Sequence, residues 1–269
     1  KRGLPSPNRA DALALTFATR RWIFGQQQVN APSRFVGDLP RERVEEIGPE
    51  GYRAVASYDR EEWFRVPTAY TDGQLVIRHT PLTDSVWYAY FAPYSRERHH
   101  DLVASCQAAG ARLEVLGQTL DGEDLDLLTV GDGPVPIWVI ARQHPGESMA
   151  EWWMEGFLGR LLDGDDALAR KLCARATFYV VPNMNPDGSF RGHLRTNAAG
   201  KDLNRAWRNT TMEESPEVFL TREKMRETGV DFFLDVHGDE AIPNNFLDNA
   251  FGIPSWDERH EKLFSTYSS

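Results

Sequence analysis

Cysteine is scarce in this 269-residue chain. Cys106 and Cys173 are the only two, too few for a disulfide framework. Long apolar runs are missing as well, and none approaches the roughly 18–20 residues needed to span a bilayer. The opening residues, Lys1-Arg2-Gly3-Leu4-Pro5, lack the apolar stretch of a signal peptide. These absences point to a cytoplasmic protein with no membrane partner. Basic charge is in deficit: the formal net charge is -10, which argues against nucleic acid as the main partner. Neither an internal repeat nor a low-complexity segment is visible.

The charge is uneven along the chain. Residues 1–50 carry eight Lys/Arg and six Asp/Glu, a net of +2, so the rest carries -12. A change of sign near residue 50 suggests a boundary. Alternating apolar residues predict a strand over 12–23, and 41–46 suits a short solvated helical turn. Short β-rich runs follow at 52–58, 63–66, 70–72, 74–79 and 86–91, separated by turn residues such as Asp72-Gly73, the spacing of antiparallel structure. Their many aromatics read as core packing.

Beyond Pro93 the pattern alternates. Helices are expected at 96–109, 149–162, 167–175 and 217–228, and strands at 112–119, 124–130, 137–141, 176–181 and 230–236. Such alternation implies an α/β sheet with crossovers, whose active sites gather beyond the carboxyl ends of the strands. His144, Asn183 and His237 all fall at such ends.

His144 and Glu147, in Gln-His-Pro-Gly-Glu-Ser (143–148), are the residues richest in chemistry. A lone His-x-x-Glu is most often a surface loop with a satisfied histidine. Here it leaves an apolar strand, and His237 leaves another, Phe232-Phe233-Leu234-Asp235-Val236. Two ligands three residues apart plus a distant histidine is the spacing of a catalytic zinc site, with a fourth position left for water. Pro145-Gly146 would let the chain turn so that both side chains face one ion. Asn183-Met184-Asn185-Pro186-Asp187-Gly188 reads by itself as a plain turn. Arg195, Asn204 and Arg205 near a metal could bind a carboxylate or stabilise an oxyanion. His79, His99, His100, His193 and His260 show no partner pattern. Trp152 and Trp153 read as packing, and the two cysteines as inert thiols.

His-Pro-Gly-Glu, Asn-Pro-Asp-Gly, the segment in which eight residues separate Arg195 from Asn204-Arg205, and Asp-Val-His-Gly-Asp-Glu, in that order, resemble the zinc carboxypeptidases of the carboxypeptidase A superfamily, closest to the cytosolic carboxypeptidase branch, over about residues 51–269. The resemblance implies a mixed-sheet α/β/α domain at 96–269, preceded by a partial antiparallel β-sandwich at 51–95. It implies Zn2+ on His144, Glu147 and His237, with Asp202 orienting His144. Arg195 would polarise the scissile carbonyl, while Asn204 and Arg205 hold the terminal carboxylate of a peptide or protein substrate. The reaction would be hydrolysis of a peptide bond at or near the C-terminus.

Two departures qualify that expectation. The family's catalytic glutamate lies well beyond the third ligand, whereas Glu240 is too near His237 to match and Glu258 and Glu261 sit in a polar run. The general base is therefore expected to be absent, the sheet cut short at its C-terminal end, and activity crippled. At the front, residues 11–40, including Pro32-Ser33-Arg34-Phe35, resemble the closing segment of UvrD/Rep-type DNA helicases without any ATPase motif. A fusion joined near 48–52, with residues 1–50 as a helicase-tail-like segment, is one implication. The alternatives to an enzyme are a zinc-retaining module that binds peptide C-termini, or an inactive fusion.

Overall fold

In the computed structural model, residues 20–23, 26–29, 51–71, 74–239 and 245–248 are described, with the short stretches 257–258, 261–262 and 265–266. At the front, β1 (Arg20–Ile23) pairs antiparallel with β2 (Gln26–Val29). The rest of the helicase-like 11–40 segment, residues 12–19 of the predicted strand and the predicted turn at 41–46 lie outside the described residues.

The aromatic region forms two small antiparallel sheets. One has the order β4 (Phe64–Arg65), β3 (Val55–Ser57), β7 (Trp87–Ala89); the other pairs β5 (Thr68–Thr71) with β6 (Gln74–Ile77). These strands are mostly shorter than the sequence pattern suggests. β3 ends at Ser57 because its hydroxyl accepts from the amides of Asp59 and Arg60, and Asp59 Oδ1 accepts from those of Glu61 and Glu62. These side-chain turns compete with ladder pairing. The aromatics do pack as a core: Tyr52 stacks on Tyr90 at 4.5 Å and meets Phe91 edge-on. Met149 and Leu194 of the larger unit pack against this cluster.

The larger unit is a five-stranded mixed sheet. Its order is β12 (Phe232–Val236), β10 (Val135–Ala141), β11 (Ala176–Val181), β9 (Asp124–Val130), β8 (Arg112–Gln118). The first three are parallel, while β9 and β8 are antiparallel additions. Parallel neighbours need crossovers. These are α2 (Met149–Leu161) with α3 (Ala167–Cys173), and later α6 (Pro216–Thr228).

Side chains alternate across the sheet as strand geometry requires. Leu128, Val130, Val139, Phe178 and Val180 face α2 and α1 (Arg96–Ala108) in one core. Leu125, Leu127, Trp138, Ile140 and Val181 face the other way, toward Val218 of α6. The α/β/α layering expected from the sequence is borne out. Helix ends follow local chemistry: Ser95 accepts from the Arg98 amide at the start of α1, and Asp166 caps α3.

Two short helices were not expected. Asn185-Pro186-Asp187-Gly188, read as a turn, opens α4 (Pro186–Arg191), with Asn185 accepting from the Gly188 amide and Pro186 in the first turn. A capping Asn followed by proline is a helix-start signal, so this one was present in the sequence. The second, α5 (Leu203–Ala206), is four residues long.

Leu128 is fully buried in β9. Leu128→Ala is expected to cost about 2–5 kcal/mol. Leu168→Ala, at an exposed site on α3, should stay within about 0.5 kcal/mol. Urea denaturation of the two variants checks the difference.

Candidate metal centre

Parallel pairing places Ala141 of β10 directly beside Val236 of β12. The loops after both strands therefore leave the same end of the sheet. His144 Nδ1 lies 2.6 Å from Glu147 Oε1, and His237 Nδ1 lies 2.8 Å from Glu147 Oε2. One donor atom from each of the three residues lies within 4.8 Å of the others. The Gly238 amide also donates to Glu147 Oε2 at 2.9 Å.

Each histidine has a carboxylate on its far side. His144 Nε2 is 3.2 Å from Asp202 Oδ1, and His237 Nε2 is 2.8 Å from Asp235 Oδ2. Both rings therefore turn Nδ1 inward and have the outer nitrogen tied, the arrangement that orients imidazole toward a metal and raises its basicity. A His2Glu donor set with anchored rings fits a zinc ion.

The local electrostatics follow from these contacts. Burial alone would raise the Glu147 carboxyl, but the bonds to His144 and His237 outweigh it and hold the group down at about 2. Burial would lower His237, yet Asp235 and Glu147 lift it to about 10. Asp202 sits below its usual range against the opposing effect of burial, because Arg195 and His144 flank it.

Of the remaining sequence-derived candidates, Arg195 lies beside Asp202, its Nε donating to Oδ2 at 2.9 Å. Its side chain is 44% exposed, so it pairs with Asp202 while still reaching solvent. Asn204 and Arg205 lie on α5, immediately after Asp202; Asn204 is half-buried and Arg205 exposed. The structure thus gathers His144, Glu147 and His237, and ties Asp202 and Arg195 to them. It places Asn204 and Arg205 one short helix away.

Gly146 serves another purpose than the one expected. It is not among the positive-φ glycines. Its amide donates to the Leu194 carbonyl at 2.8 Å, and a Cβ there would lie 2.6 Å from Leu194 Cδ1. The glycine is needed for close approach of the two loops.

Several contributors escaped the sequence reading. Asp235, within the motif of His237, has no role that its position in the sequence reveals. Gln143 Nε2 donates to Asp235 at 2.5 Å, and its Oε1 accepts from Trp207 Nε1 at 2.7 Å. His99, read as partnerless, is buried between Glu151 at 2.6 Å and Asp126 at 3.2 Å. Those carboxylates lift it to about 9 although burial opposes the shift. His79 lies between Tyr58 and Tyr88, and His193 Nδ1 meets the Thr196 carbonyl. Glu151 and Asp126 lie far from His99 in the chain, and Tyr58 far from His79, so nothing local encodes those pairings, whereas Thr196 stands only three residues from His193.

The loop from Arg195 to Asp202 is braced from below. Asn197 Oδ1 accepts from the amides of Ala199 and Lys201, and its Nδ2 donates to fully buried Glu217 of α6. Burial, with Asp187 and Asp121 nearby, pushes Glu217 up to about 7.

Residues 99–244 match the model of the family Peptidase_M14, zinc carboxypeptidase, and residues 43–91 match the cytosolic carboxypeptidase N-terminal domain. The second match begins before the expected join near 48–52. An uncharacterized protein of Zymomonas mobilis is 56% identical over 80% of this chain and 57% of its own length. Mouse (Mus musculus) cytosolic carboxypeptidase 3 is 31% identical over 61% of this chain and 18% of its own. A metallo-carboxypeptidase from Pseudomonas aeruginosa, solved in complex with (2-guanidinoethylmercapto)succinic acid, aligns with a TM-score of 0.79 at 46% identity, covering 86% of this chain and 62% of that one. The chain spans about three fifths or less of the length of each of these relatives.

A prediction on pH follows from Glu217. Its folded pKa lies above the unfolded value, so its contribution to stability is full below about pH 4.5 and is lost as pH rises through 7. Glu217→Gln removes that titration. The variant should gain stability over wild type at pH 8, on the order of 1–3 kcal/mol, with a much smaller difference at pH 5. Denaturation at the two pH values measures this, and a gain equal at both would refute it.

Proposed function

We propose, for a chain that belongs to the zinc carboxypeptidase family, that His144, Glu147 and His237 hold a zinc ion at a site built to recognise and cleave a peptide C-terminus. The observation that carries the reading is the meeting of these three residues at two strand ends, with Asp202 and Asp235 on the outer ring nitrogens. Zinc bound there would supply Lewis acidity and an activated water.

The chain's own residues do the rest. Glu147 supplies a fully ionised carboxylate. Asp202 and Asp235 fix the imidazole rings, and Arg195 presents a cation beside the site that can stabilise charge developing on the scissile carbonyl oxygen. Asn204 and Arg205 hold the terminal carboxylate through charge-assisted hydrogen bonds. The ligand of the Pseudomonas aeruginosa relative is a succinic acid, a carboxylate-bearing molecule consistent with such recognition.

No described glutamate beyond His237 is placed to act as general base: Glu258 and Glu261 are exposed, and Glu240 lies outside the described residues. We read the described residues as those that hold the metal and bind the carboxylate, and assign none of them as the general base. The second reading, a zinc-retaining module for peptide C-termini, rests on this same observation. The likeness to a cytosolic carboxypeptidase supports a cytoplasmic reading. Among the described residues no helix is long and apolar enough to cross a membrane.

The expected result is one zinc per wild-type chain, lost in both His144→Ala and His237→Ala. Stoichiometric zinc remaining in those variants would show the ligand assignment to be wrong. Arg205→Ala should keep zinc yet bind a free-carboxylate peptide about 10–100-fold more weakly, while an amidated peptide is little affected. Zinc-dependent release of a C-terminal amino acid supports hydrolysis, whereas zinc and peptide binding without release favours the binding module.

A further inference from the structure

Arg142 is the first residue beyond β10, two positions before His144. Its backbone is left-handed, with φ 57°. A non-glycine residue holds that conformation only when its surroundings determine it. Here the side chain does so. The guanidinium is buried, Nε donates to the Pro145 carbonyl at 3.1 Å, and Nη1 donates to the Tyr94 carbonyl at 3.1 Å and to Glu151 Oε2 at 2.5 Å. Pro145 stands between the two ligands of the loop, His144 and Glu147.

Glu151 is fully buried in the first turn of α2. Besides Arg142 it accepts from Asn183 Nδ2 at 3.3 Å and faces His99 Nδ1 at 2.6 Å, while His99 reaches Asp126 of β9 on its other side. One carboxylate thus ties together α1, α2 and the loops after β10 and β11. Burying so many charged groups is costly, and joining α1 to α2 does not require it. Arg98 already bonds Glu155 in bidentate fashion one helical turn along, and the apolar core holds both helices. Glu151, unlike Glu155, is linked through Arg142 to the backbone of the loop that carries His144 and Glu147.

We propose that Arg142 and Glu151 are positioning residues for the metal: their buried ion pair holds the Pro145 carbonyl and so fixes His144 and Glu147 in ligating geometry. The proposal rests on the reading of His144, Glu147 and His237 as a zinc site. Metal affinity should then depend on a pair that touches neither metal nor substrate.

Zinc affinity by chelator competition, alongside thermal unfolding, tests this on the full chain. Glu151→Gln and Arg142→Lys should each weaken zinc roughly 10–100-fold, as loss of outer support does at zinc sites. Glu155→Gln loosens the same helix pair without touching the loop. It should lower Tm and leave zinc affinity unchanged within about twofold. Folded Glu151→Gln or Arg142→Lys with wild-type affinity overturns the proposal. If both fail to fold while Glu155→Gln folds, the pair is structural and the proposal is overturned as well. Failure of wild type to bind zinc overturns the metal reading itself, an outcome distinct from the other two.

Discussion

The parallel pairing of β10 with β12 is the constraint on which this molecule's chemistry depends. With Ala141 set beside Val236, residues more than ninety positions apart leave the sheet at one end. A shift of that register would separate His237 from Glu147 whatever the loops did. The register is held by apolar faces on both sides of the sheet, where Val139 and Trp138 point into opposite cores. A one-residue slip would turn each of them the wrong way.

Around that end, the fold spends charge below the surface. Two buried carboxylates support the two loops and do so differently. Glu151 is matched by Arg142 and His99, so its surroundings carry opposite charge. Glu217 has an amide partner, Asn197, and acidic neighbours, so its surroundings favour the protonated form. The first loop is thus braced by ionic hydrogen bonds and the second by a group whose charge changes near neutral pH. Both braces stand one layer behind the side chains gathered there, Glu151 acting through Arg142 and Glu217 through Asn197.

Much of this was legible beforehand. The sheet strands and long helices follow from apolar periodicity and capping residues, and most fell within a few residues of expectation. The strands of the aromatic region were overestimated because side-chain turns at Ser57 and Asp59 end pairing early. His144 and Glu147 were legible because three residues suffice to bring two donor side chains together on one turn. Glu151 and His99 were not, since they meet across fifty-two positions; Asp235 stands two residues from His237, but whether its carboxylate reaches the ring depends on how the chain leaves β12. The helicase-like reading of 11–40 rests on sequence alone, because most of that segment lies outside the described residues.

By itself the sequence determined which residues can bind a metal and on which strand ends they sit. Residue type fixes ligand chemistry, and local periodicity fixes strand and helix. Only the tertiary structure brought His144 and Glu147 to His237, set Asp202 against the His144 ring, and let Arg142 clamp the loop while reaching back to Tyr94. Those outcomes depend on strand register and on the pairing of buried charges, which arise when distant segments pack and have no local signature.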